Sequence, residues 1–142
     1  MVQSKRPSAR EIDQKLRQAE EALKESRGLF ANPQKAVGEL IDLDIGNTEE
    51  LWPLVLKLLK EIKLIDYAGS HPPMKSYEPK IANCELYAFT WNSKAMDKRM
   101  YIKFAIKTEN VCSQRKSENK KKFCFYYVSL HESKPNKGNL KL

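Results

Sequence analysis

Apolar positions along this chain change their period near its middle. Between Ser8 and Gly28, the residues Ile12, Leu16, Ala19 and Leu23 recur at helical spacing among charged neighbours. That spacing predicts a helix with a narrow apolar stripe. Ser8-x-x-Glu11 has the form of a capping box at its start, and Gly28 suits its end. Asn32-Pro33 joins a capping residue to a proline at the first helical position, and predicts a short helix through Ala36, Val37, Leu40 and Ile41. Gly46-Asn47-Thr48 reads as a turn and cap before a third helix, and Glu49 and Glu50 suit its positive end. Leu51, Trp52, Val55, Leu58, Leu59 and Ile62 make its apolar face, and Pro53 places the onset of regular hydrogen bonding near itself.

The segment 66–83 is crowded with proline and turn residues and predicts irregular backbone. Beyond it the period becomes two. ELYAFTW (85–91), KRMYIKFAIK (98–107) and FCFYYVSLH (123–131) are rich in aromatic and β-branched residues and predict strands. Asn92 to Asp97 fits a hairpin turn, and the polar stretch 108–122 reads as a long loop. Helices followed by strands predict an α+β fold, with N-terminal helices on one face of a small antiparallel β-meander. The 142 residues make one domain. It divides into an amphipathic helix (1–28), a helical part (29–65), a sheet (66–135) and a basic tail (136–142).

Charge adds a direction. The formal net charge is +8, with Lys and Arg concentrated from Lys94 onward, in the half that holds the strands. Such a surface attracts polyanions: nucleic acid, ribosomes or an acidic protein. A merely solvated surface would look the same. No apolar run approaches the ~20 residues of a membrane span, and MVQSKRPSAREIDQK lacks the apolar centre of a signal peptide. The expectation is a cytoplasmic protein with no membrane partner. Cys84, Cys112 and Cys124 are scattered and form no CxxC pair, so free thiols are expected rather than a disulfide framework or a zinc site. No phosphate-cradling glycine loop, GxSxG or HExxH motif is present, and no metal or cofactor is expected. Glu78, Glu85 and Glu132 form no recognisable acid–base pair and read as surface charge. His71, beside Pro72-Pro73, reads as part of a turn, and Trp52 and Trp91 read as core.

Strand alternation proposes a site. In 98–107, Met100, Ile102, Phe104 and Ile106 form the inward set, leaving Arg99, Tyr101 and Lys103 on the other face. In 123–131, Cys124, Tyr126, Val128 and Leu130 are the natural inward set, so Phe125, Tyr127, Ser129 and His131 point outward. A meander then gathers Arg99, Tyr101, Lys103, Tyr127 and His131 on one open face. Tyrosines offer stacking platforms for unstacked bases. Arg and Lys neutralise phosphate and the added charge of a phosphorane-like transition state. A histidine titrates near neutrality and can move protons during attack of a 2′-hydroxyl on the neighbouring phosphate, a cleavage that needs no metal. Lys75, Lys98 and Lys134 add cations for an RNA backbone. Alternating Arg, Tyr and Lys is equally what a solvated sheet face shows.

The motif order carries a resemblance. Pro72-Pro73 and Lys75, then Leu86-Tyr87-Ala88-Phe89, Arg99-Met100-Tyr101, Leu130-His131 and Lys134-Pro135 follow one another as in the RelE/HigB superfamily of toxins. The chain is similar to its HigB and phage-derived branch over roughly residues 70–135, about half its length. The resemblance implies a compact sheet with N-terminal helices, and metal-independent, ribosome-dependent cleavage of mRNA that inhibits translation. It also implies neutralisation by a cognate antitoxin protein. Arg99 matches the family's strand arginine, which helps hold phosphate charge, and His131 the histidine after leucine near the scissile phosphate. Lys103 and Tyr127 come from strand alternation, not from a motif. Ala88, Phe89 and Thr90 stand where the family often has Glu and Arg, and the lysine-rich stretch after the histidine is reduced to Lys134 and Lys137. The same face also fits a non-catalytic RNA- or ribosome-binding module, and the charge and the N-terminal helix fit a protein-interaction module for an acidic partner.

Overall fold

Ser8 does cap the first helix, α1 (Ala9–Lys24), its hydroxyl accepting from the Glu11 amide at 3.2 Å. The computed structural model describes residues 6–112 and 119–133. Only half of the predicted capping box forms, because the Glu11 carboxylate turns to Arg6 instead. The helix ends before Gly28. Ser26 takes a left-handed conformation (φ 62°), and the amides of Ser26 and Arg27 bond back to the carbonyls of Leu23 and Ala22. This is the Schellman closure that glycine usually occupies, and a side chain there costs ~1–2 kcal/mol. Ser26→Gly is therefore expected to raise the free energy of unfolding by up to about 1 kcal/mol, read as a higher urea midpoint with an unchanged slope.

Gly28 opens a strand that has no counterpart in the sequence pattern, β1 (Gly28–Phe30). It runs across the ring of Trp52, where a Cβ on Gly28 would lie 2.8 Å from the nearest ring carbon. Helix α2 (Pro33–Asp42) follows, capped by Asn32, and then α3 (Thr48–Glu61), capped by Asn47. The latter begins a turn before Pro53. The proline withholds only its own amide donor, and the Leu51 amide already bonds to the Asn47 carbonyl.

The remaining strands are β2 (Tyr87–Ser93), β3 (Lys98–Cys112) and β4 (Asn119–Glu132). The α+β class expected from the pattern holds, and β2, β3 and β4 form an antiparallel meander. The sheet as a whole is mixed, however, with the order β1-β4-β3-β2 and β1 parallel to β4. The 108–122 loop is also shorter than expected. Pairing continues from Thr108 opposite Phe123 to Cys112 opposite Asn119, so most of that polar stretch forms the arms of a two-stranded ribbon.

One face of the sheet carries the main core. Ile12, Leu16, Leu23, Leu51, Val55, Leu58 and Leu59 from α1 and α3 pack on Phe89, Met100, Ile102, Phe104, Phe125, Tyr127 and Leu130. Each such side chain contributes roughly 1.5–3 kcal/mol by leaving water. Trp91 is buried here as expected, and Trp52 packs at its margin. Glu61, at the end of α3, fixes the β2–β3 hairpin by accepting from Trp91 Nε1, Ser93 Oγ and the Ala95 amide. Burial alone would raise its pKa, but those donors outweigh it and hold the carboxylate below its ordinary range.

A second tie fastens the N-terminal segment. The Arg6 guanidinium bridges Glu11 and Glu85, and the Tyr87 hydroxyl donates to both carboxylates, at 2.8 and 3.1 Å. Glu85, expected as plain surface charge, is thus part of a partly buried network. Hydrogen bonding from Arg6 is the main cause holding both carboxylates below their ordinary range. A lowered folded pKa gives stability that is complete above the unfolded value (~4.3) and is lost as pH falls through the folded one. Arg6→Ala should therefore lower Tm at pH 7, and the gap from wild type should narrow as pH falls below the ordinary carboxylate range and both carboxylates protonate. A gap independent of pH would contradict this linkage.

Candidate RNA-binding cleft

Strand β4 changes phase once. Phe104 pairs with Tyr127 but Lys103 pairs with Ser129, leaving Val128 as the extra residue of a β-bulge. Before the bulge, Phe125 and Tyr127 face the main core; after it, Leu130 does. Tyr127 is therefore not on the open face. It is 1% exposed, and its hydroxyl donates to Glu39 at 2.6 Å. Cys124 and Tyr126, expected inward, instead face the opposite side, where Ala31, Ile81 and Ala105 bury them together with Cys84 and Leu86.

That second small cluster divides the opposite face. The segment around Ile81 covers its lower part, fastened by the Lys107 ammonium on the Lys80 carbonyl (3.0 Å) and by the Ser76–Cys84 backbone bond. Above it, Arg99, Tyr101 and Lys103 of β3 alternate onto the uncovered part, with Ser129 and His131 of β4 paired opposite Lys103 and Tyr101. The Tyr101 and His131 rings stack at 5.0 Å between centroids, 24° from parallel. Arg99 donates to Asn92 on β2 at 3.2 Å, and His131 Nδ1 lies 3.0 Å from the Glu132 carbonyl oxygen. Four of the five residues expected to share this face do so.

Walls rise on both sides. On the β4 side, α2 brings Lys35 and Glu39 close enough to act on Lys103. Glu39 accepts from Tyr127 Oη and Ser129 Oγ, both at 2.6 Å, and from the Leu130 amide at 2.9 Å. One carboxylate thus satisfies both hydroxyls and the free amide around the bulge. On the β2 side, residues 68–74 form the other wall. The Ala68 amide bonds to the Ala88 carbonyl, and the Leu86 amide to the Met74 carbonyl. Tyr67 donates to the Ser70 carbonyl at 2.6 Å and packs edge-on against Phe89 and His71.

The electrostatics follow from this enclosure. Burial, and then the neighbouring charge of Lys35, pushes the Lys103 ammonium below its ordinary pKa, while Glu39 works against them. Burial and then Glu39 raise the Tyr101 phenol, so Tyr101 stays protonated and able to donate. Lys103 has no hydrogen-bond or ion-pair partner among the described residues.

The outlying lysines stand apart. Lys98 begins β3 and lines a second hollow with Asp42, Leu43, His131 and Glu132, on the other side of His131 from the Tyr101–Lys103 pocket. Lys75 is exposed and backbone-paired to Glu85 on the far side of Met74. Lys134 lies outside the described residues. Among those residues, no group of three or more His, Cys, Asp or Glu side chains could hold a metal ion. No described helix is long and apolar enough to cross a membrane.

Two residues of the cleft escaped the sequence reading, Lys35 and Glu39. Glu39 had a legible signal. It shares the inward stripe of α2 with Ala36, Leu40 and Leu43, and a carboxylate on such a stripe needs buried donors. Compared with protein-family models, curated proteins and solved structures, the chain finds no match.

Proposed function

We propose that the chain is a toxin-like endoribonuclease of the RelE/HigB type that cuts mRNA on the ribosome without a metal ion. The observation that carries this is the convergence of Arg99, Tyr101, Lys103 and His131 on one sheet face, through in-register pairing of β3 with β4, with Lys35 and Glu39 of α2 alongside. Helices on one sheet face and cations with aromatic rings on the other also support a RelE-like arrangement.

In this mechanism the Tyr101–His131 stack receives an unstacked base. Arg99, Lys103 and Lys35 surround the phosphate and offset the charge that grows as the 2′-hydroxyl attacks it. The 2′-hydroxyl gives up its proton to solvent water as it attacks, the bond to the 5′-oxygen breaks, and protonated His131 supplies the proton that the leaving oxygen needs. The products are a 2′,3′-cyclic phosphate and a 5′-hydroxyl. A cognate antitoxin as partner and the cytoplasm as compartment belong to the same proposal.

One observation favours a non-catalytic RNA- or ribosome-binding module instead. Among the described residues His131 stacks on Tyr101 and meets its own neighbour's carbonyl, with no second acid or base orienting the ring. Induced expression separates the two. A nuclease arrests translation and growth, and His131→Ala or Arg99→Ala relieves the arrest. A binding module gives salt-sensitive RNA affinity, its log–log slope following the number of phosphates contacted, and no new RNA ends.

A further inference from the structure

Beside the Tyr101–His131 stack, a pocket of about 130 Å³ opens between the 68–74 wall and the sheet. Ala68, Gly69, Ser70, Met74 and Leu86 line its sides, and Ala88, Tyr101 and Lys103 its floor. An apolar cavity of roughly 150 Å³ is enough to hold a benzene ring. This open pocket is close to that size, its lining about as polar as apolar, with one phenol, one ammonium and no carboxylate among its lining residues.

Its shape is built in rather than left by loose packing. The wall is bonded to β2 through Ala68 and is internally braced by the Tyr67 hydroxyl. At Gly69 a Cβ would fall 2.5 Å from that hydroxyl, so the wall's close approach to Tyr67 requires glycine. Lys103 is half-buried, Lys35 of α2 adds positive charge near it, and Glu39 partly offsets that charge. A half-buried cation with no ion-pair partner among the described residues favours an anionic ligand, even with Glu39 at a distance, while the alanine, leucine and methionine side chains favour an apolar body.

The geometry points to a binding site for a small ring-bearing anion, its ring between the 68–74 wall and Ala88 and its anionic group on Lys103. The site shares Tyr101 and Lys103 with the ribonuclease reading but does not depend on cleavage. Its ligand can be the base and phosphate of a nucleotide, or a free aryl phosphate or carboxylate, and the same experiment separates these sources.

The test is titration of the full chain with phenyl phosphate, benzoate, the four 5′-mononucleotides, benzyl alcohol and inorganic phosphate, followed by amide chemical shifts at Gly69, Ser70 and Ala88. Phenyl phosphate or a mononucleotide should bind about 10-fold or more tightly than benzyl alcohol and inorganic phosphate, which each lack one half of the ligand. Tighter binding by a mononucleotide assigns the pocket to RNA, and tighter binding by phenyl phosphate or benzoate assigns it to a free aryl anion. Ala88→Leu fills the pocket and should abolish the shifts. Lys103→Met keeps the aliphatic stem and the fold but should weaken anion binding by about 10-fold or more. Equal binding of benzyl alcohol, shifts that survive both substitutions, or no shift at these amides would overturn the site. Failure of the ribonuclease would leave phenyl phosphate binding intact, so the two outcomes are distinguishable.

Discussion

Replacing Glu39 with alanine is expected to lower the free energy of unfolding by about 3–4 kcal/mol, a large loss for one partly buried residue. The change removes the acceptor for Tyr127 Oη, Ser129 Oγ and the Leu130 amide together. Tyr127 and Ser129 are 1% and 2% exposed, so water cannot replace the lost partner without opening the bulge. Each stranded buried donor costs roughly 1–3 kcal/mol, and relaxation at the sheet edge recovers part of the total. Glu39→Gln keeps one acceptor oxygen and should cost about half as much. Urea unfolding of both variants checks the order, alanine worse than glutamine. Wild-type stability for Glu39→Ala would show that the bulge does not need its clamp. Because the bulge sets the phase of Ser129 and His131, the same variant should also disturb the Tyr101–His131 stack.

The second large effect is chemical. His131→Ala should reduce the cleavage rate about 10²–10⁴-fold, the usual contribution of a positioned general acid. The side chain is exposed, so stability should change by no more than about 0.5 kcal/mol. RNA affinity should fall by much less than the rate, since Tyr101 still offers a stacking face and Arg99, Lys103 and Lys35 still face the phosphate. Single-turnover cleavage measured beside direct RNA binding separates the two effects. Equal losses in rate and affinity would make His131 a binding residue and return the cleft to the non-catalytic reading.

The helices were legible because their signals are local. Ser8, Asn32 and Asn47 cap where the sequence places them, and the apolar stripe of α3 is the stripe that is buried. In β3, strict alternation put Arg99, Tyr101 and Lys103 on the correct face. β4 defeated the same rule because one bulged residue, Val128, reverses the phase on either side of itself. The sequence around it is apolar on both faces, so nothing local marks the shift. The consequence is specific: Ser129, Leu130 and His131 were placed correctly, while Tyr127 was placed on the wrong face and Cys124 and Tyr126 were exchanged with Phe125. Strand β1 is three residues long and parallel to its partner, too short for any period to show. Lys35 and Glu39 reach the cleft through the docking of α2 on the β4 edge, a contact between residues 88–91 positions apart in sequence.

The central claim is that the open face of this sheet cuts RNA. It is tested most directly by mapping 5′ ends of ribosome-bound mRNA after brief induction of wild type and of His131→Ala. The account predicts new internal ends carrying a 5′-hydroxyl in the wild type, and their loss in His131→Ala at equal protein level. Wild-type ends indistinguishable from those of uninduced cells, with growth unaffected, would contradict it.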